Sequence, residues 1–344
     1  MRVGSAAARP LGLLLGYGAD LVLGDPWRWH PVAGFGRTAA ALERRTYRDS
    51  LAAGALHTGA LVAASVAAGA LAQRAARGPV ARTALTAAAT WAVLGGRSLR
   101  REATAVGALL DSGDLPGARR RITHLVGRNP ESLDEAGLAR ACVESVAENT
   151  SDAVVAPLLW GALAGVPGLV GYRAVNTLDA MIGHRSPRYE RFGWAAARLD
   201  DLANLLPARL SAVIAAAAAP AVGGTTAAAV RAVRRDAGRH PSPNAGPVEA
   251  AFAGSMGRTL GGINTYDSTI EDRGTLGEGP PPEIADIQRA VRLSAVVGGV
   301  ACAVVVVAAA VGTQRDAGRR LPFRLAGPSG GRADVELPRT ACAG

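Results

Sequence analysis

Acidic side chains recur at helical spacing near the middle of the chain, in the run ESVAENTSD. Glu144, Glu148 and Asp152 are four residues apart, so one helix would carry their carboxylates along one face. Like charges stacked in this way repel, so helix stability alone does not favour the arrangement. A bound cation would reverse that repulsion, and oxygen ligands in a small cluster suit Mg²⁺. The alternatives are a solvated acidic face or an Asp152 that simply ends the helix.

A second polar stretch follows over residues 172–212. Asn176 and Asp179 are three residues apart and share a helix face, while Asp200 and Asp201 form another acidic patch with Asn204 one turn later. Guanidinium groups match phosphate geometry, so arginines here could bind an anion. Carboxylates that could bind a metal thus occur beside arginines that could bind a phosphate. The residues that flank the acids are His184 and the arginines Arg173, Arg185, Arg198 and Arg209. Salt bridges between these arginines and the acids are the alternative.

Two further segments combine turn residues with polar groups. GDPWRWHPVAGFGR places Asp25 and His30 in a rigid turn after an apolar run, where His30 is either functional or only a turn residue. SPNAGPVEAAFAGSMGRTLGG places Asn244 and Glu249 near glycines that would let backbone amides approach an anion, although such a run is weak evidence alone.

The composition excludes several classes of protein. All 38 basic residues are arginine, and without lysine the chain can form neither a Walker A phosphate loop nor a pyridoxal phosphate Schiff base. The net charge of +10 is spread over every polar segment, which argues against nucleic-acid binding and suits anionic lipids and substrates. Cys142, Cys302 and Cys342 lack the spacing of a zinc or redox motif.

The elements that position these groups are predicted from stretches free of Asp, Glu and Arg. A helix needs about 20 apolar residues to cross a membrane. Four stretches satisfy that length: Ser50–Gln73, Ala153–Tyr172, Leu210–Val230 and Leu293–Gln314. Two shorter candidates, which are either buried helices or tilted partial spans, are Pro10–Gly24, interrupted by Asp20, and Thr83–Gly96. We therefore predict an all-α, polytopic integral membrane bundle with four to six membrane segments and polar helical loops. A soluble Ala-rich helical protein is the alternative, but its long helices would normally carry a charged face.

One predicted span conflicts with the motifs around it. If Ala153–Tyr172 crossed the membrane, ENTSD and NTLD would lie on opposite sides. The span contains Gly161, Gly165, Pro167 and Gly168, so we predict a broken or re-entrant helix that returns both motifs to one site.

Smaller elements are predicted from capping and turn residues. We expect helices over Leu115–Val126 and Leu133–Glu148, capped by Asp114 and Ser132, and a flexible connection at TLGEGPPP. Residues 1–314 should form a single membrane-embedded domain, and residues 315–344 a disordered tail rich in Arg, Gly and Pro.

The motifs together resemble those of the CobD/CbiB family of cobalamin biosynthesis. The matching runs are GDPWRWHPVAGFGR, HLVGRNP, ESVAENTSDAVVAPLLWGALAG, YRAVNTLDAMIGHRSPRYERFGWAAARLDDLANLLPARLSA and SPNAGPVEAAFAGSMGRTLGG, in the family's order. Pro247 departs from many relatives, which carry an aromatic residue there. The resemblance covers nearly the whole membrane portion and is strongly specific as a set.

The resemblance implies an ATP- and Mg²⁺-dependent ligase that joins the propionate carboxylate of adenosylcobyric acid to aminopropanol or its phosphate. Candidate catalytic residues are His184 as a base, Asp179, Arg185 and Asn176. Candidate substrate- and phosphate-binding residues are Arg128, Arg173, Arg198, Asn244, His30 and Asp25. Candidate metal ligands are Glu148, Asp152, Asp200 and Asp201.

We expect a multi-pass protein of the cell (inner, cytoplasmic) membrane, with its site on the cytoplasmic side because ATP is needed there. Its partners would be the corrinoid, the amine and the lipid bilayer, together with other cobalamin-pathway membrane enzymes or a second copy of the chain. The alternative is a membrane permease or an AmpE-like membrane sensor. A permease would keep its ionisable residues near mid-membrane, whereas here they concentrate beside the apolar stretches.

Overall fold

The computed structural model describes residues 2–25, 30–127, 129–184, 186–266 and 269–319. These residues are mostly helical. The α-helices are α1 (Arg2–Leu23), α2 (Pro31–Thr46), α3 (Leu51–Ala75), α4 (Gly78–Val93), α5 (Gly96–Asp111), α6 (Leu115–Ile122), α7 (Glu135–Thr150), α8 (Ala156–Ala164), α9 (Val166–Leu178), α10 (Trp194–Ala217), α11 (Thr226–Asp236), α12 (Ala245–Met256) and α13 (Ile284–Arg319). Strands β1 (Thr259–Tyr266) and β2 (Thr269–Gly277) pair as an antiparallel hairpin.

Small residues allow close packing between helices α1 and α4. Gly12 and Gly16 lie one turn apart on α1, directly against Thr86 and Thr90 of α4. A side chain at either glycine would collide with these threonines, so the glycines set the distance between the two helices.

The predicted break in the stretch Ala153–Tyr172 is confirmed at Gly165. Its backbone has φ +70° and ψ −147°, a conformation that residues with a side chain rarely adopt. The helix ends on both sides of the break are satisfied: Arg9 Nη1 donates to Ala162 O at 3.1 Å, and Val166 N donates to Gln73 Oε1 at 2.9 Å. Helices α8 and α9 consequently fold back on each other.

A proline shapes the other end of the same segment. Between α7 and α8 the chain makes a π-helical turn over Ser151–Val155, followed by Pro157. Proline has no N–H, so it cannot bond the carbonyl of Ala153 four residues earlier. That carbonyl accepts the N–H of Gly95 at 3.2 Å instead, which joins the π-helical turn to the start of α5.

The interior consists of several apolar clusters. The largest packs α5, α6, α7, α10, α12 and α13 together, with Phe252 and Leu138 fully buried. A second joins α1, α4, α8, α9 and α13 around Leu13 and Leu158, and a third joins α2, α3, the end of α9 and the start of α10 around Phe192. The helices that carry the polar motifs therefore also form the apolar clusters.

Two helices of the described residues are long and apolar enough to cross a membrane. They are Leu51–Ala75, with mean hydropathy 1.6, and Ile284–Gly312, with mean hydropathy 2.5. They contain the predicted spans Ser50–Gln73 and Leu293–Gln314 almost entirely. The two shorter candidates lie largely in α1 and α4, although Gly24 follows the end of α1 and the second candidate continues past Val93 to Gly96, the first residue of α5. The structure thus supports a helical protein with two such helices, and a count of four to six spans stays a prediction.

The prediction of one continuous span over Leu210–Val230 is wrong. Helix α10 ends at Ala217, a 3₁₀ turn covers Ala219–Val222, and α11 begins only at Thr226. Pro220 and the left-handed Gly223 interrupt the helix. Composition alone concealed this interruption, because the stretch is free of charge on both sides of the turn.

The predicted helical character is confirmed, but the fold is not all-α, because β1 and β2 form a hairpin. It occupies part of a segment that we expected to be a polar loop, and β2 includes Thr275–Gly277 of the predicted flexible connection. The hairpin is fixed on α7, where Arg140 Nη1 donates to Gly261 O at 2.7 Å and Gly261 N donates to Glu144 Oε1 at 2.9 Å. These long-range contacts stabilise strands that have little alternating apolar pattern of their own.

Two predicted helix starts can be compared directly. The Asp114 side chain caps α6, accepting from Gly117 N at 2.8 Å, as expected. Helix α7 begins later than predicted and is capped by Asp134 rather than Ser132. At the other end of the chain α13 continues to Arg319, past the expected start of the tail, and residues 320–344 lie outside the described ranges.

Replacing Gly165 by alanine should destabilise the protein. The added Cβ would strain the backbone and collide with Gln73 Oε1, so we expect a loss of about 1–3 kcal/mol in the free energy of unfolding. Thermal unfolding in detergent measures the change. Gly59→Ala on α3 is the matched control, because its Cβ meets no atom within 4 Å. Equal melting temperatures for the two variants would contradict the role of Gly165.

Candidate active site

The three acids spaced four apart along α7 and the turn that follows it divide into two roles. Glu144 belongs to the hairpin contact described above and is almost fully buried. Glu148 and Asp152 lie further along, and Asp152 sits within the π-helical turn and so does not end the helix. Glu148 is close enough to Asp152, Asp179 and Asp200 to act on their ionisation. The predicted acidic site thus begins at Glu148, one turn after Glu144.

Asp179 also begins a π-helical turn, over Asp179–Gly183 at the end of α9. Its carboxylate lies against Gly183, and any side chain at Gly183 would collide with it. A π-helical turn inside a helix is uncommon and is frequent at functional sites. Asp152 and Asp179 therefore each lie in a π-helical turn, where the helix is locally wider. The chain reverses at Gly165, and this reversal places both acids on the same side of α10.

Helix α10 completes the acidic centre through hydrogen-bonded amides. Asn204 Nδ2 donates to Asp200 Oδ2 at 2.8 Å, and Asn176 Nδ2 lies 3.5 Å from Asp200 Oδ1. The Tyr172 hydroxyl donates to Asn204 Oδ1 at 2.8 Å and is 3.1 Å from the backbone oxygen of Asp152. These contacts fix α9, α10 and the π-helical turn of Asp152 relative to one another.

Burial and mutual repulsion raise the pKa values of the clustered carboxylates, which lie outside the two helices that could span a membrane. Burial, with additions from Asp200, Asp201 and Glu148, raises the pKa of Asp179 to about 7. Burial raises the pKa of Asp200 to about 6, against the opposing hydrogen bonds from the two asparagines. The pKa of Asp152 is raised by burial and then by its acidic neighbours, and that of Asp201 by burial. The carboxylates of the centre therefore bind protons more readily than exposed carboxylates do.

Arg173 brings a positive charge to one side of this centre. Its Nη1 donates to Asn176 Oδ1 at 3.2 Å, and its charge acts on Asp152, Asp25 and His30. His30 Nε2 is 3.9 Å from Asp25 Oδ2, while its Nδ1 accepts from the N–H of Val32 and caps α2. His30 thus has the turn role that we considered, and it also lies beside Asp25 and Arg173.

Asp201 and Asn244 occupy the opposite edge of α10. Arg198 Nη1 is 3.5 Å from Asp201 Oδ2, and Asn244 Nδ2 donates to the backbone oxygen of Asp201 at 2.7 Å. Asn244 Oδ1 accepts from Arg209 Nη1 at 2.8 Å. Asn244 therefore has a clear positioning role for α10, because both ends of its amide are used within the protein.

Some predicted site residues are separate from the centre or cannot be placed. His184 is exposed, and its ring packs edge-on against Tyr189 with centroids 5.0 Å apart. Arg128 and Arg185 lie outside the described residues. Tyr172 was not predicted, because a tyrosine that ends an apolar stretch indicates only an interface anchor. The sequence signal for a role of Tyr172 in the site was that it directly precedes Arg173.

The family model described as CobD/Cbib protein matches residues 13–294 of this chain. The chain belongs to the CobD/CbiB family. The matched range contains every acid of the centre together with Arg173 and the hairpin.

Similar CobD proteins extend over most of the chain. A cobalamin biosynthesis protein CobD from Mycobacterium tuberculosis (strain CDC 1551 / Oshkosh) is 57% identical over 289 residues, covering 84% of this chain and 92% of the relative. Proteins of the same name from Chromobacterium violaceum and Geobacter metallireducens are 46% and 43% identical, covering 84% and 86% of this chain and 92% and 94% of the relatives. No solved structure matches the chain.

The carboxylate oxygens of this CobD/CbiB chain are of the ligand type that Mg²⁺ prefers. Within the described ranges, no set of three or more His, Cys, Asp or Glu side chains could hold a metal ion. Mg²⁺ usually keeps several waters and binds through one or two carboxylates plus substrate phosphates. Oxygen ligands with raised proton affinity, such as Asp152 and Asp200, suit that mode, since a cation would offset their repulsion.

Asp179→Asn should change the pH dependence of stability. A pKa of about 7 in the folded state means that folded Asp179 retains its proton where the unfolded chain has lost it. Its contribution to the free energy of unfolding is therefore full below the unfolded pKa, near 4, and is lost as the pH rises through about 7. In the presence of EDTA, the melting temperature of Asp179→Asn minus that of the unmodified protein should increase between about pH 5 and about pH 8.

The matched control is Asp49→Asn, which removes a carboxylate with 61% of its side chain exposed. Its melting temperature relative to the unmodified protein should change little with pH. Added Mg²⁺ at pH 8 should stabilise the unmodified protein more than Asp179→Asn. A constant difference between Asp179→Asn and the unmodified protein across the pH range would contradict the raised pKa.

Proposed function

We propose that this chain is an ATP-dependent ligase of cobalamin biosynthesis. It would join the propionate carboxylate of adenosylcobyric acid to aminopropanol or aminopropanol phosphate, giving adenosylcobinamide or its phosphate. Family membership supports the pathway, since the similar proteins are named for cobalamin biosynthesis. The observation that carries the reaction type is the acidic centre of Glu148, Asp152, Asp179 and Asp200 with Arg173 beside it.

Amide formation requires activation of the acid, because proton transfer from a carboxylic acid to an amine gives a carboxylate, which is a poor electrophile, and an ammonium group, which is not a nucleophile. A carboxylate oxygen of the corrinoid would attack the γ-phosphorus of ATP, and the bond from that phosphorus to the β,γ-bridging oxygen would break to release ADP. The neutral amine nitrogen would then attack the acyl carbon of the acyl phosphate. Inorganic phosphate leaves as the carbon–oxygen bond breaks, and one proton from nitrogen passes to a base.

The charge of each residue indicates which of these steps it would assist. Magnesium, when bound, would neutralise phosphate oxygens, and one or two of the four candidate carboxylates, Asp152, Asp200, Asp201 and Glu148, would hold it together with those oxygens. Arg173 would stabilise negative charge on the transferring phosphoryl group, as would Arg198 at the edge of the centre. Asp179 suits the role of proton acceptor, because a pKa of about 7 matches proton transfer near neutrality. His184 remains a second candidate base on the exposed side of the π-helical turn.

We propose further that the chain is a multi-pass protein of the cytoplasmic membrane. Exposed leucines and valines support this placement, because a water-soluble protein rarely exposes so many together. They lie on the two helices that are long enough to span, with Leu56 and Leu71 on α3 and Val304 and Val307 on α13. They also lie on two further helices, with Leu11, Leu14 and Leu15 on α1 and Leu202 and Leu206 on α10. The acidic centre would then lie at the cytoplasmic boundary, within reach of ATP.

The function is tested with purified protein in lipid nanodiscs. We would incubate it with adenosylcobyric acid, Mg²⁺-ATP and each amine, and follow the corrinoid mass and ADP release. Asp179→Asn and Asp200→Asn should each lower kcat by about 10²- to 10⁴-fold, the range of a lost acid–base or electrostatic contribution. Asp49→Asn should retain full activity, since its carboxylate is exposed beside Arg191.

Amide product with the unmodified protein, lost in both centre variants that still fold, would support the function and the site together. Product that persists in both variants would support the ligase and contradict the site. No amide from either amine would contradict the ligase and favour the permease or sensor alternative.

A further inference from the structure

A group of arginines lies at the end of the helix bundle opposite the acidic centre. The break at Gly165 marks this end, because α9 begins there with Val166 and Asp179 follows its last residue. The 13 residues of α9, at about 1.5 Å each, place the two ends about 20 Å apart. Gln73, near the end of α3, accepts from Val166 N at 2.9 Å. The short connection from α3 to α4 therefore lies at this same end.

Two of the arginines around this connection have no partner within the protein. Arg9 and Arg82 each donate to a backbone carbonyl of this end, at 3.1 and 3.2 Å. Arg74 and Arg77 are exposed, and within the described ranges neither of them donates a hydrogen bond or forms an ion pair. Their guanidinium groups are therefore available to an anion from outside the chain.

The neighbouring helices contain no acid that could neutralise these charges. Asp and Glu are absent from the sequence that forms α3, α4, α8, α9 and most of α1, in residues 2–19, 50–96 and 153–178. Near the acidic centre, by contrast, the exposed Arg188 pairs with Glu43. The end at Gly165 thus has a positive charge that these helices leave unbalanced.

Exposed apolar side chains adjoin the two available arginines. Leu71 lies three residues before Arg74 on the same face of α3, and it is 64% exposed. Val80, three residues after Arg77, is 81% exposed. Helix α3 is also one of the two that are long and apolar enough to cross a membrane. Arginines beside exposed apolar residues at the end of such a helix are typical of the membrane boundary, where the charged groups reach the headgroups.

We propose that Arg74 and Arg77 bind the headgroups of anionic phospholipids at the membrane boundary opposite the acidic centre. The inference rests on the proposed membrane placement and is independent of the ligase reaction. A guanidinium group matches the oxygens of a phosphodiester, and an anionic headgroup adds no positive charge of its own. A lipid bound at Arg74 would lie beside Gln73, which holds the start of α9. It would therefore also stabilise the reversal at Gly165.

Other phosphates match this end of the bundle less well. A zwitterionic headgroup such as phosphocholine would bring a second positive charge to helices that contain no carboxylate. Free inorganic phosphate would reach the guanidinium groups but would leave Leu71 and Val80 exposed to water. An anionic phospholipid covers both the charged and the apolar side chains.

The test measures lipid binding to the full-length protein in detergent by native mass spectrometry. Phosphatidylglycerol is the anionic lipid and phosphatidylcholine the zwitterionic one, and the unmodified protein should bind phosphatidylglycerol more tightly. The double variant Arg74→Gln/Arg77→Gln should lower that affinity about 30-fold, or about 5-fold for each arginine, and should leave the affinity for phosphatidylcholine nearly unchanged. Phosphatidylglycerol should also raise the melting temperature of the unmodified protein more than that of this variant.

Arg231→Gln/Arg234→Gln is the matched control, because it removes two exposed arginines from α11, which packs against α12 and β2 rather than α3. This control should bind phosphatidylglycerol as the unmodified protein does. The melting temperatures of both double variants in phosphatidylcholine report whether they fold. An unchanged affinity in Arg74→Gln/Arg77→Gln, or an equal loss in the control, would overturn the inference.

Two further outcomes separate this inference from its premises. Inorganic phosphate that displaces phosphatidylglycerol and stabilises the protein equally well would identify a site for soluble phosphate and overturn the lipid assignment. An unmodified protein that stays monodisperse without detergent or lipid would contradict the membrane placement, and this inference with it. The ligase reaction is measured separately and is unaffected by either outcome.

Discussion

Repulsion among buried carboxylates is the constraint on which this structure depends. Asp152, Asp179 and Asp200 come from three separate helical segments, and each is held where burial and its neighbours disfavour the charged form. No isolated helix would bring them together. Their proximity requires the reversal at Gly165, the hydrogen bonds of Tyr172 and Asn204, and the apolar packing behind them. A proton or another positive charge at this point would relieve the repulsion among the carboxylates.

The two π-helical turns give that constraint a local structural cause. Pro157 cannot donate to the carbonyl of Ala153, and Gly183 leaves room for the carboxylate of Asp179. The first turn is therefore allowed by a proline without an N–H, and the second by a glycine without a side chain. Each turn places one acid against α10. The carbonyl that Pro157 releases accepts a hydrogen bond from Gly95, so the widened turn also positions the start of α5.

The hairpin adds a wall to the acidic centre from a distant part of the chain. Glu144, which has the same helical spacing as the acids of the centre, binds the backbone of Gly261. One turn of α7 separates this structural carboxylate from Glu148, which faces the centre. The three regularly spaced acids thus have two roles. Glu144 positions β1, whereas Glu148 and Asp152 form part of the site. Helix α10 has a similar division, with Asn204 buried in the site and Leu202 and Leu206 on the outer surface.

The sequence by itself determined the helical character, the family, the acids and arginines of the centre, and the break in the stretch Ala153–Tyr172. These features depend on local patterns: residue spacing, glycine and proline positions, and runs of apolar residues. Tertiary structure alone decided that Glu144 differs from Glu148, that Leu210–Val230 is interrupted, that Asn244 positions α10, and that a hairpin lies beside the centre. Spacing along one helix places side chains on a face, but only contacts between distant segments decide what that face meets.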